Sequence, residues 1–289
     1  MKKVFGLVVA GLLSVTGAVA QVEFVWNVSA DLTSAYLWRG QYLGGLSFQP
    51  EVSIGFEGEH TSLSVGAWGN IGASDWKFKK NSADPAQDTY FVPELDLFLD
   101  FAFFGFHVGA THYYYFDGSK FFNGFHASDG TSQTDVHVGY HFADEFDFGL
   151  YVDANTYILG DDGEYIEGGF LRPSTYKRYF STYIEVGYEV ELPLEFTLTP
   201  ALGFTPQRTS AYADNAWSDW KHLGFTNLSL RLDKSWEVGE HTSLGLFAMG
   251  TVNFYGINKD NLWLNTSGEE KVGDMQKLNG CIGFNISFE

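Results

Sequence analysis

Residues 24–33 read Phe-Val-Trp-Asn-Val-Ser-Ala-Asp-Leu-Thr. Phe24, Trp26, Val28, Ala30 and Leu32 hold the even places, and Asn27, Ser29, Asp31 and Thr33 the odd ones. That is the period of a strand with one apolar and one polar face. The same rhythm ends the chain: Leu278, Ile282, Phe284, Ile286 and Phe288 alternate with Asn279, Cys281, Gly283, Asn285 and Ser287. Between these two runs it recurs ten times, in apolar sets starting at Phe48, Leu63, Phe91, Phe104, Val136, Phe146, Phe180, Phe196, Leu228 and Leu244. Twelve strands are expected.

The connections alternate too. Short ones are expected near Gly58–Thr61, Phe101–Phe103, Ala143–Glu145, Leu192–Glu195 and Asp233–His241. Long polar ones cover about 73–88, 117–132, 158–177, 206–221 and 255–276, and the first, about 40–47, is intermediate. Short turns at one end, long loops at the other and an even strand number fit a single all-β transmembrane antiparallel up-and-down barrel of the outer-membrane kind. The reason is physical. In hydrocarbon every backbone N–H and C=O needs a partner within the protein, so a spanning sheet must close. A soluble sandwich also alternates, but its Greek-key connections mix lengths, and its solvated face is not so rich in Gly, Tyr and carboxylates.

Composition agrees. The 289 residues carry 33 Gly, 18% aromatics, 3 Met and 1 Cys, which suits strands and tight turns better than a helical bundle. A formal charge of -19 argues against nucleic acid, because phosphate binding needs a basic face. A single cysteine excludes a disulfide scaffold and a thiolate zinc site.

Lys2 and Lys3, the apolar run 4–13 and Ala18-Val19-Ala20 have the form of a cleaved export signal. The expected organisation is therefore a signal peptide, 1–20, and one barrel, 21–289. Losing the signal removes two lysines and makes the chain still more acidic. Aromatics mark two expected girdles at headgroup level. Tyr36, Trp38, Tyr90, Phe91 and Tyr114 lie near the long loops, and Trp26, Phe104, Phe142, Phe146, Tyr188 and Trp236 near the short turns.

The polar face collects acid. Asp31, Glu51, Glu94, Asp96, Asp100, Asp135, Asp153 and Glu185 are expected inside, opposed clearly only by Arg39 and Arg231. Trp68, Tyr113, Tyr115 and Tyr183 face inward with them and would narrow the bore. A negative lumen admits cations and disfavours anions, although polar residues fill any barrel interior. Most other basic residues, Lys77, Lys120, Arg172 and Lys259 among them, fall in the long loops, where lipopolysaccharide phosphates or solvent would meet them. Arg39, placed at the top of the first strand, is expected beside Glu51, tying the first two strands or setting local selectivity.

His107 and His141 both face inward near the short-turn end. They are a candidate metal pair, but with no third ligand evident the plain reading is a polar lumen pair. No G-x-S-x-G, H-E-x-x-H, P-loop or dinucleotide motif occurs, so neither catalysis nor a cofactor is expected. Cys281 reads as an inert inward filler.

Several local motifs resemble the TorF-type porin family of outer-membrane barrels. They are Ser34-x-Tyr36-x-x-Arg39-Gly40, Pro50-x-Val52, Gly66-x-Trp68-x-Asn70, Glu94-Leu95-Asp96, and Val108-Gly109 to Tyr113-x-Tyr115. The resemblance is firmest over about 27–116 and implies a porin-like role without catalytic residues. The expectation is passive diffusion of small polar, cationic or neutral solutes across a Gram-negative outer membrane. The surroundings would be outer-membrane lipid, lipopolysaccharide and the barrel-assembly machinery. Two alternatives stay open on the same scaffold: a lipid hydrolase or deacylase, and a non-conducting structural or adhesin barrel.

Overall fold

Each alternating run forms a strand, and each strand pairs antiparallel with its neighbours until the last meets the first. The computed structural model describes residues 22–72, 93–116, 121, 132–160, 162–166, 175–206, 224–253 and 278–289. The expected signal segment and most of the long loops lie outside the described residues, as do Tyr90, Phe91 and the loop residues Lys77, Lys120, Arg172 and Lys259.

In chain order the strands are β1 (Glu23–Thr33), β2 (Tyr36–Trp38), β3 (Gln41–Gly44), β4 (Ser47–Gly58), β5 (Thr61–Gly72), β6 (Glu94–Phe103) and β7 (Phe106–Tyr115). They continue with β8 (Gln133–His141), β9 (Leu150–Gly160), β10 (Gly163–Ile166), β11 (Thr175–Arg178), β12 (Thr182–Tyr188) and β13 (Val190–Leu192). The last four are β14 (Phe196–Thr205), β15 (Gly224–Gly239), β16 (Thr242–Asn253) and β17 (Leu278–Phe288). Strands β12 and β13 share one place in the wall, both pairing with β14 in one unbroken register. The wall order is β9-β8-β7-β6-β5-β4-β1-β17-β16-β15-β14, with β12 bonded to both β9 and β14. Val28↔Phe288 through Thr33↔Gly283 join β1 to β17, so the twelve-strand barrel has no free edge. Two short hairpins, β2–β3 and β10–β11, stand apart from the wall at the long-loop end.

Which face is outside follows from exposure. Phe24 is 60% exposed, Leu99 51%, Val138 52% and Ile282 68%, all from the apolar registers. Water would not tolerate so continuous an apolar surface, whereas hydrocarbon requires it. Strands β7, β8 and β9, of 10, 9 and 11 residues, have the length a tilted spanning strand needs. At the short-turn rim Lys234 points outward, its ammonium 5.1 Å from the Phe196 ring and 5.4 Å from the Trp236 ring. The stem lies along the apolar wall while the charge reaches the turn, where it meets Glu195 at 3.5 Å and the Leu194 carbonyl. At the other rim the outward His112 bonds Thr134 Oγ1 at 2.9 Å, and Thr156 and Thr182 pair at 3.0 Å. These polar groups on the outer face are each satisfied, by one another or by the turn.

Several boundaries differ from the sequence expectation. Strand β6 runs on through Phe103, and the turn is Phe104-Gly105, both at positive φ (48° and 74°). The expected connection 233–241 is instead wall: β15 continues to Gly239, because Asp233, Lys234 and Trp236 keep the alternation. Strand β9 begins at Leu150, later than Phe146, since Phe142–Asp144 winds into one 3-10 turn. Tyr36 and Trp38, expected in the outer girdle, turn inward. Tyr36 is buried and Trp38 half-buried.

Candidate functional site

The hairpin β2–β3 folds into the barrel and crosses it. Leaving β1, the chain stays paired with β17 for one more residue: Ser34 N donates to the Ile282 carbonyl at 2.9 Å, and Ile282 N to Ser34 Oγ at 3.0 Å. It then reverses at Arg39-Gly40, whose φ values are 47° and 80°. Two positive φ values suit a two-residue hairpin turn, and glycine serves the second at no steric cost. The tip also has no room for a side chain, since a Cβ on Gly40 would lie 2.5 Å from Asn227 Cβ on the far wall.

Alternation within the hairpin sends its side chains to opposite walls. Tyr36 packs on Trp68 of β5 with ring centroids 5.6 Å apart, and Trp38 on Tyr113 of β7 at 5.9 Å. Ala35 and Leu37 pack instead with Phe247, Met249 and Cys281 of β16 and β17. Arg39, at the tip, reaches β8: its Nη2 lies 2.9 Å from Asp135 Oδ2. The guanidinium stacks 4.4 Å from the Trp38 ring and 5.6 Å from that of Tyr183 on β12. Asn279 Nδ2 donates to the Gly40 carbonyl at 3.5 Å. The expected Arg39–Glu51 pair is therefore corrected. Arg39 sits on a turn rather than on the first strand, and the turn carries it past Glu51 to Asp135.

Three buried carboxylates gather at this level, Glu94 and Asp96 on β6 and Asp135 on β8. Tyr36 and Tyr115 hydrogen bond Glu94, and the Tyr113 hydroxyl donates to Asp135 Oδ2 at 2.9 Å. Asp96 Oδ1 and Asp135 Oδ1 are buried without a hydrogen-bond partner among the described residues. A buried ionised carboxylate is costly unless a cation or donors approach it, so a positive group brought to this level would be held there.

Below the hairpin the acids meet histidine and tyrosine side chains. Asp100 meets His137 at 2.6 Å, Asp153 meets His141 at 3.1 Å, and Glu185 accepts from Tyr151 at 2.9 Å and Tyr183 at 2.8 Å. On the other side Arg231 grips Asp233 through Nε and Nη2 at 2.8–2.9 Å, and Asn285 donates to Asp31 at 2.5 Å. These four residues line a cavity of about 290 Å³. Glu51 faces Trp68 and Ser29 in register between the two groups. The lumen candidates read from the sequence lie on the inner face, except Arg39, which reaches it from the hairpin. The hairpin draws together Arg39, Trp68, Glu94, Asp96, Tyr113, Tyr115, Asp135 and Tyr183, whereas Asp31, Arg231, Asp100 and Asp153 stand apart from it.

Sequence reasoning missed Phe98, Asp233 and the hairpin itself. Phe98 is inward between Asp96 and Asp100 and lies over Gly66, the residue directly opposite on β5. Tyr151 covers Gly187 and Phe247 covers Gly283 in the same way. The signal for the hairpin was Arg39-Gly40 between two aromatic-containing runs of three and four residues, a turn dipeptide with very short arms.

No protein-family model matches the chain. No curated protein matches it. The TorF-type resemblance thus rests on the short motifs alone. Among solved structures, a monoaromatic hydrocarbon channel, CymD, is 9% identical, with 92% of this chain and 87% of that one covered and a TM-score of 0.39. A FadL homologue of Pseudomonas aeruginosa is 12% identical over 92% of this chain and 75% of its own, with a TM-score of 0.35. Outer membrane phospholipase A from Escherichia coli is 12% identical over 91% and 92%, with a TM-score of 0.34. Likenesses this slight carry no activity to the present chain. What stands on its own coordinates is a closed, twelve-strand antiparallel barrel of the outer-membrane kind.

Proposed function

We propose that the protein is a narrow outer-membrane channel for small polar solutes, cationic or neutral, whose constriction is the β2–β3 hairpin. The supporting observation is the acidic lining at that level: one guanidinium, Arg39, among three buried carboxyl groups, Glu94, Asp96 and Asp135. Carboxyl oxygens turned to the lumen favour cations over anions, the more so where water is scarce. The flanking Tyr113, Tyr183, Trp38 and Trp68 bound the passage and exclude bulky solutes. The chain would be exported by its first twenty residues, inserted by the barrel-assembly machinery, and surrounded by lipid and lipopolysaccharide of a Gram-negative outer membrane.

Purified protein in planar bilayers under a salt gradient tests this. A small conductance whose reversal potential has the sign of cation preference is expected. Anion preference, or no conductance, overturns the reading. A second reading, a non-conducting plugged barrel, is favoured by the hairpin's contacts on both sides of the lumen. It predicts silence from the intact chain and conductance only after removal of residues 36–44.

A further inference from the structure

At the short-turn mouth, well away from the hairpin, two imidazoles and a carboxylate converge. His107 comes from the first turn-end positions of β7 and His141 from the last residue of β8. His107 pairs with Gly139, so His141 is its diagonal neighbour rather than its direct opposite. The two rings stack with centroids 4.1 Å apart. Directly after β8 the chain winds into the 3-10 turn Phe142–Asp144. Three residues per turn in that helix bring positions i and i+3 into line, so His141 and Asp144 share a side. Asp144 Oδ2 lies 2.7 Å from His107 Nε2. One ligand atom from each of the three residues falls within 4.8 Å of the others.

We propose that His107, His141 and Asp144 bind a divalent transition-metal ion of the zinc class at the periplasmic mouth. Two imidazoles and one carboxylate are the donor set borderline ions favour, and three protein ligands leave a fourth position for water or a solute. The supporting carboxylate is present as well. Asp153 Oδ1 and Oδ2 both lie 3.1 Å from His141 Nε2, the outer contact that orients a ligating histidine and strengthens it as a donor. The ligating side chains are part-exposed, at 29%, 35% and 41%, so an ion reaches them from the aqueous mouth. Binding turns the stacked rings about χ2, bringing in-plane lone pairs onto a shared centre. The bound ion then staples β7, β8 and the turn together and adds positive charge to an acidic entrance.

Titration calorimetry of the folded, tag-free protein in detergent with Zn²⁺ alone tests the site. Saturable binding of one ion is expected. His107→Gln, His141→Gln or Asp144→Asn should each weaken it at least about tenfold, and Asp153→Asn about 10–100-fold, as for other outer-shell carboxylates. His241→Gln, a histidine on another turn at the same end, should change nothing. No saturable binding, or ligand variants that bind as the unaltered protein does, overturns the proposal. A ligand variant that does not fold leaves the visible spectrum of Co²⁺ added to the unaltered protein to decide. Intense bands of a four- or five-coordinate ion support the site, and the weak spectrum of hydrated Co²⁺ refutes it.

Discussion

Arg39 and Asp135 are 96 positions apart in the chain and meet at 2.9 Å inside the barrel, with their side chains 12% and 1% exposed. The pair ties the tip of an inward hairpin to the wall strand β8, and through it the hairpin is held across the lumen. Removing one partner of a buried pair leaves the other uncompensated, at a cost of about 3–5 kcal/mol. Arg39→Ala should therefore lower stability towards urea in lipid vesicles by roughly that amount. In bilayers it should also raise conductance and sharpen cation preference, because the one guanidinium among Glu94, Asp96 and Asp135 is gone. Unchanged ion selectivity would show that the constriction lies elsewhere.

Gly40 carries the second prediction. Its φ of 80° is a conformation side chains resist, and Asn227 fills the space where a Cβ would go. Gly40→Ala should dislodge the tip without altering its charge. Amide exchange in residues 36–44 should quicken while exchange in β6 and β7 stays slow. Conductance should rise as for Arg39→Ala, with a smaller gain in cation preference, because the displaced guanidinium stays in the lumen. Equal loss of protection throughout the wall would mean that the hairpin is part of the barrel's stability rather than a separable insert.

The wall was legible because alternation is a local signal repeated over 9–12 residues in most strands, and lipid enforces it on every turn of the pleat. Lys234 and Trp236 show its reach: read by strict alternation, they extend β15 where a polar turn was expected. The hairpin was illegible for the opposite reason. Its arms, Tyr36–Trp38 and Gln41–Gly44, are 3 and 4 residues long, too short to show a period. Its aromatics have the composition of a headgroup girdle, and what turns them inward is the chain's departure from the wall after Ser34, which alternation does not signal. The Arg39 partner could not be read at all, since it depends on how far the tip travels across the lumen. For the metal cluster, His141-x-x-Asp144 was visible as a spacing, but it has meaning only once those residues form a 3-10 turn.

Inward glycines make a third prediction. Phe247 lies across Gly283, the residue opposite it on β17, and a Cβ there would stand 2.1 Å from Phe247 Cζ. The Arg231 guanidinium sits 4.4 Å from the same ring. Gly283→Ala should cost about 1–3 kcal/mol by overpacking. In a Phe247→Ala background the same change should cost much less, giving a coupling of about 0.5–3 kcal/mol. Additive costs would show that the glycine serves backbone freedom rather than the ring above it.

The lipid face itself is tested by one substitution made twice. Leu99 points outward in the middle of β6, and Ser64, in the adjoining strand, points inward directly opposite Asp100. Leu99→Arg places a charge in hydrocarbon and should cost about 2–4 kcal/mol if its depth is near the midplane. Ser64→Arg places the same charge beside a carboxylate in the lumen, where it should be nearly neutral for stability and should reduce cation preference. Urea unfolding in vesicles of defined lipid reads both. If the two variants lost equal stability, the odd and even faces would share one solvent, and the barrel would not be standing in a membrane.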